Sequence, residues 1–180
     1  MSDDCIRWDE MLVEGTARGM PAEPKSLPAG LDLDTLPPSY LRFIERFGYG
    51  RTAWLFLIFP AVAEGCDSLK SRSNDLRAML LESLELELVE FEPHGAPGLL
   101  QRCVPFGIGE NGETLVWDPD DRDASGELQI YLVGSKTLGV WRAGRRLEEF
   151  VAMVTSDAIK TIFPGHSPFP RTFVPLRLAP

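Results

Sequence analysis

Gly107-Ile108-Gly109-Glu110-Asn111-Gly112 spells Gly-x-Gly-x-x-Gly, a pattern whose glycines let a helix N-terminus approach a pyrophosphate. That chemistry needs a strand before it and a helix after it. Here Pro105-Phe106 precede, and the β-branched and aromatic run Thr114-Leu115-Val116-Trp117 follows, so the stretch reads as a hairpin turn on Asn111-Gly112. Asp121-Arg122-Asp123-Ala124-Ser125-Gly126 reproduces the first half of a calcium loop, in which oxygens at alternating positions surround the ion. The twelfth position, which should hold a bidentate Glu, is Leu132 inside a predicted strand. A solvated hairpin loop is the better reading, with weak cation binding by Asp118, Asp120, Asp121 and Asp123 left as the alternative. Nucleophilic catalysis needs a base beside a serine or cysteine. The chain has no Gly-x-Ser-x-Gly elbow, and its two histidines, His94 and His166, stand in the turn-like contexts Glu-Pro-His-Gly and Pro-Gly-His-Ser. Cys5, Cys66 and Cys103 form no Cys-x-x-Cys pair; the set reads as a reduced inventory, with Cys66 and Cys103 as small core residues. No catalytic residue, cofactor or metal is expected.

Charge remains as the carrier of specificity. Twenty-seven acids against eighteen bases give a formal charge of −9 over 180 residues, which repels a polyphosphate backbone and invites a basic partner. The acids fall in two runs. One is Glu82, Glu85, Glu87, Glu90 and Glu92; the other is Glu110, Glu113, Asp118, Asp120, Asp121, Asp123 and Glu127. From the second run Asp118, Asp120, Asp121, Asp123 and Glu127 are chosen as charges that steer a protein partner, with Trp117, Tyr131 and Trp141 as candidate anchors. Aromatic residues within strands are more often core, so the anchors carry that competing reading. The longest apolar run, residues 53–63, is broken by Pro60, and the acidic start Met1-Ser2-Asp3-Asp4 lacks a secretory pattern, so no membrane span and a cytoplasmic location are expected.

These residues need a framework, and at this length one core can remove roughly 70% of the unfolded chain's surface from water. Ile6, Trp8, Met11, Leu12 and Val13 predict a terminal helix within residues 6–20. Residues 21–38 read as a surface connection rich in Pro, Gly, Ser and Asp. Pro37-Pro38 and Gly48 bracket a helix with Tyr40, Leu41, Ile44 and Phe47 on one face. Residues 54–59 suit a strand or a buried segment. A helix starts near Ser68; Leu84-Glu85-Leu86-Glu87-Leu88 alternates like a strand, yet Leu and Glu favour helix, which is carried to about Glu90. From Cys103 an antiparallel meander is expected, with strands at 114–117, 128–133 and 138–141 and a turn at Gly134-Ser135-Lys136. A helix at 147–154 buries Leu147, Phe150, Val151 and Val154, and the proline-rich tail is a strap.

In order and spacing, three segments resemble the SUKH superfamily, which includes fungal cell-wall assembly regulators and bacterial immunity proteins. They are Leu36-Pro37-Pro38-Ser39-Tyr40-Leu41-Arg42-Phe43-Ile44 closed by Gly48, residues 104–117 from Val104-Pro105-Phe106-Gly107 through Asn111-Gly112-Glu113 to Trp117, and Leu147-Glu148-Glu149-Phe150-Val151. Glu113 stands where the family usually has Asp, and Leu147 replaces its common Ser-Phe helix start. The resemblance implies an α+β single domain, a largely antiparallel mixed sheet packed with helices. It divides the chain into an N-terminal helix and connection (1–35), a SUKH-like domain (36–156) and a Pro-rich strap (157–180). It also implies a non-enzymatic immunity protein that neutralises a polymorphic or contact-delivered toxin, nucleases included, through an acidic surface. A general interaction module or regulatory scaffold is the alternative.

Overall fold

The computed structural model describes residues 5–23, 27–28, 31–62, 65–134 and 139–178. Helix α1 (Pro38–Phe47) has proline in its first turn, where backbone N–H groups have no intrahelical acceptor, so the missing donor costs nothing. It ends at Gly48, with φ of 71°; a Cβ there would lie 2.0 Å from the carbonyl oxygen of Arg18, so only glycine fits. Tyr40, Phe43, Ile44 and Phe47 are buried, Phe43 occupying the core position expected for the half-buried Leu41.

The strands are β1 (Leu12–Val13), β2 (Gly50–Thr52), β3 (Phe56–Ile58), β4 (Val104–Gly109), β5 (Thr114–Arg122), β6 (Leu128–Val133), β7 (Val140–Arg142) and β8 (Thr172–Pro175). They form one eight-stranded sheet in the order β1-β8-β2-β3-β4-β5-β6-β7. Every neighbouring pair is antiparallel except β1 with β8. The Asn111-Gly112 turn joins β4 to β5 as expected, with Gly112 at φ 94° and the Gly109 N–H donating to the Glu113 carbonyl at 2.7 Å. Gly107, Gly109 and Gly112 thus belong to a hairpin and not to a helix N-terminus.

Helices cover the sheet on both faces. Leu115 and Trp117 of β5 and Leu128, Ile130 and Leu132 of β6 share the larger core with α1 and with α4 (Leu147–Val154), whose Leu147, Phe150, Val151 and Val154 are all buried as the spacing predicts. The alternate residues Val116, Tyr131 and Val133 form a smaller core with Leu80 of α2 (Leu69–Glu85) and Leu99 and Leu100 of α3 (Leu99–Arg102). Because successive strand side chains point to opposite faces, β6 is buried along its whole length only by having a helix layer on each side.

Four expectations are corrected. Residues 6–20 hold no α-helix: Trp8–Glu10 makes a single 3-10 turn and the chain then extends into β1, because Leu12 finds a backbone partner in Thr172. Helix α2 stops at Glu85 rather than Glu90; Glu87 takes a left-handed φ of 54° and the Leu88 N–H closes back on the Ser83 carbonyl at 2.8 Å. The third strand of the meander is Val140–Arg142; Ser135, Lys136 and Leu138 lie outside the described residues, while the Gly134 N–H donates to the Gly139 carbonyl at 2.9 Å. Finally, the tail expected as a strap enters the sheet: β8 lies between β1 and β2. The described residues form one α+β domain with a mixed, mostly antiparallel sheet and four α-helices. No helix among the described residues is long and apolar enough to cross a membrane.

Candidate functional site

The acids chosen from the second run are drawn together at the β5–β6 end, where Asp118 and Glu127 are buried, Asp121 and Asp123 half-buried and Asp120 exposed. Asp118 is 3% exposed and receives two parallel hydrogen bonds from Arg102, Nε to Oδ1 at 2.7 Å and Nη2 to Oδ2 at 2.6 Å. Burial would raise its pKa, but the Arg102 pair and the Asp120 N–H outweigh burial and hold the carboxyl below its ordinary value. Asp121 pairs with Arg145 at 2.5 Å. Asp123 organises the turn, its Oδ1 accepting from the Ser125 N–H, the Ser125 hydroxyl and the Glu127 N–H. This is a side-chain-braced hairpin loop, and no cluster of metal-ligating type occurs among the described residues. Asp120 projects most of its side chain into water, 3.3 Å from Arg102.

Glu127 is 3% exposed. Its carboxylate accepts the Ser39 backbone N–H at 2.9 Å and the Ser39 hydroxyl at 2.7 Å, and the Ser39 oxygen in turn accepts the Leu147 N–H at 3.1 Å. One acid on the hairpin therefore satisfies the N-terminus of α1, and through Ser39 that of α4. Arg42 stands 3.8 Å from Glu127 and 3.0 Å from the equally buried Glu148. Desolvation raises the Glu127 pKa, opposed by the Ser39 hydrogen bonds and Arg42 and reinforced by Glu148. A serine on a carboxylate resembles an activated nucleophile, but Ser39 is 1% exposed and no substrate reaches it.

The anchor assignments are overturned for two aromatics. Trp117 is fully buried, stacked on Phe106 with ring centres 4.0 Å apart and edge-on to Tyr40. Tyr131 is 1% exposed in the smaller core. Both lie on central strands covered on two sides, so neither meets a partner. Trp141, on edge strand β7, is half-buried with its ring edge-on to His94. The histidines are exposed: the His94 Nδ1 accepts the Arg142 N–H at 3.3 Å, and His166 sits against Phe163 and Phe169. Burial pushes the Cys103 thiol up to about 12, which makes it inert, whereas Cys66 is exposed rather than in the core. A cleft of about 680 Å³ beside α4 is lined by Ile6, Ala152 and Met153, but its polar groups are spoken for: Arg171 pairs with Glu10 at 2.8 Å, and Glu149 accepts the Arg145 N–H at 2.8 Å.

A further exposed acidic stretch lies at and beyond the end of α2. Glu82, Glu85, Glu87, Glu90 and Glu92 are all exposed, and none has a cationic partner among the described residues. Met79, just before them in the chain, and Leu86 and Leu88, among them, are 42%, 59% and 43% exposed. The segment is nonetheless held: Leu80 enters the smaller core, Leu84, Val89 and Phe91 pack on its rim, and Arg77 donates to the carbonyls of Gln101 and Cys103. Exposed apolar side chains interspersed with carboxylates can exclude water against an apolar contact while the acids attract cations. The run was visible in sequence; its lack of ion pairs was not.

The fold and this surface define a single α+β domain carrying an acidic, partly apolar patch. Compared with protein families, with curated proteins and with solved structures, the chain matches none.

Proposed function

We propose that this chain is a non-catalytic protein-binding domain, an immunity protein of SUKH type that neutralises a cognate toxin in the cytoplasm by occupying its basic surface. The observation that carries the reading is the stretch at and beyond the α2 end, where exposed Glu82, Glu85, Glu87, Glu90 and Glu92 have no cationic partner among the described residues, near exposed Met79, Leu86 and Leu88. A nuclease toxin must present cations to its polyanionic substrate, and such a cleft accepts this acidic patch as a competitor. The carboxylates raise the encounter rate, and the three apolar side chains supply desolvated contact once docked. The site asks nothing of a cofactor, and its residues make and break no bonds.

Growth rescue tests this directly. Co-expression with a toxin domain encoded beside its gene should protect the cell, and reversing Glu82, Glu85 and Glu87 to Lys should abolish protection while the protein stays folded. A reversed variant that protects as well as the natural sequence overturns the reading. A chain that binds the basic domain without protecting supports the scaffold alternative.

A further inference from the structure

Ala53 and Trp54, in the turn between β2 and β3, both take left-handed backbone conformations, φ 51° and 60°. The turn is closed by the Leu55 N–H donating to the Thr52 carbonyl at 3.2 Å. Positive φ at both central positions suits Gly, Asn or Asp, and a bulky side chain there is strained. The residue that bears the strain is nonetheless a tryptophan held in water. Trp54 is 57% exposed, whereas Trp8 and Trp141 are half-buried and Trp117 is buried. A turn alone would be better served by glycine or asparagine, so the use of this indole lies outward.

The ring is also aimed. Its Nε1–H donates to Oε1 of Glu14 at 3.2 Å, and Glu14 is fixed in turn by its own N–H, which donates to the Phe173 carbonyl at 2.9 Å just past β1. With β8 between β1 and β2, the indole spans β8 to reach that carboxylate. An indole is a neutral donor, so Glu14 keeps its charge and most of its acceptor capacity. Glu14 is exposed and enters no ion pair among the described residues. Of the neighbouring cations, Arg51 is held by Glu110 and Arg171 by Glu10. Strand alternation places Leu12, 65% exposed, on the face of Glu14 and opposite buried Phe173. An open π face, a charged carboxylate at its edge and an adjoining apolar side chain complement one group, a planar cation on an aliphatic stem. We propose that Trp54 and Glu14 form a receptor for an arginine side chain of a protein partner, its guanidinium stacked on the indole and donating to Glu14, its methylenes against Leu12. Stacking combined with forked donation selects guanidinium over ammonium, and a chain at −9 attracts such a partner. The receptor shares no residue with the acidic stretch beyond α2 and does not rest on the toxin-binding reading.

NMR titration of the isotope-labelled full chain tests it, because each tryptophan contributes its own indole N–H resonance. The acetylated, amidated peptide Gly-Arg-Gly-Arg-Gly should shift the Trp54 indole N–H saturably. The same peptide with citrulline for arginine, equal in shape but neutral, should leave it in place. Glu14→Gln, which keeps an acceptor for the indole and removes the charge, should weaken binding roughly threefold or more without lowering the melting temperature. Trp54→Gly, which relieves the left-handed backbone, should abolish the accompanying shift of the Glu14 amide while leaving the melting temperature no lower. An unmoved Trp54 indole, an equal response to the citrulline peptide, or binding indifferent to Glu14→Gln overturns the proposal. So does a response lost on reversing Glu82, Glu85 and Glu87 to Lys but kept in Glu14→Gln, which would place the cation at the α2 stretch.

Discussion

Glu127 holds Ser39 by two hydrogen bonds, from its backbone N–H at 2.9 Å and its hydroxyl at 2.7 Å, across 88 positions of the chain. The hairpin acid does the work of a helix cap for α1, whose own N-cap residue, Pro37, has no side-chain hydrogen bond. Glu127→Ala leaves those donors unsatisfied inside the protein and should cost about 1–3 kcal/mol. A double-mutant cycle with Ser39→Ala, read by urea unfolding, should show positive coupling between the two positions; additive losses would remove the cap from the account.

Acid titration should separate two carboxyls of opposite sign. The folded-state pKa of Asp118 lies below its ordinary value, so its stabilisation is complete above the unfolded pKa and is lost as pH falls through the folded one. Asp118→Asn should therefore flatten the acid limb of the stability curve. Glu127 is shifted upward, so its relative stabilisation is complete below the unfolded pKa and is lost as pH rises through the folded one. Relative to natural sequence, Glu127→Gln should lose ground as the solution is acidified. Identical pH curves for the two variants would refute the assignment.

Charge reversals should divide the two acidic runs. Lysine at Glu82, Glu85 and Glu87 should slow association with a basic partner and weaken its salt dependence, with little change in melting temperature. Lysine at Asp120, Asp121 and Asp123 should instead lower the melting temperature, because Asp121 holds Arg145 and Asp123 braces the turn. Stopped-flow binding beside thermal melts reads both, and the reverse pattern would return the docking role to the hairpin.

Trp117→Ala empties the space between Phe106 and Tyr40 and should cost about 3–5 kcal/mol. A variant unfolding at the same denaturant midpoint as the natural sequence would put Trp117 outside the core.

The sequence by itself determined the elements whose signals are local. Pro38 and Gly48 bracket α1, four apolar residues at helical spacing make α4, and β6 has the bounds its alternation predicts, because caps and periodicity act over a few neighbouring residues. Net charge and the positions of both acidic runs were equally legible. Tertiary structure alone decided the pairing of β1 with β8, since strands of two and four residues carry too little pattern to announce a partner at the other end of the chain. It also decided which acids are free. Asp118 and Glu127 sit where a register shift in β5 and the meeting of α1 with α4 supply arginine and serine partners, while the glutamates after Leu80 run out along the exposed end of α2 and the chain beyond it, with no cationic partner among the described residues. A carboxylate's partner is fixed by three-dimensional proximity, and neighbouring letters do not record it.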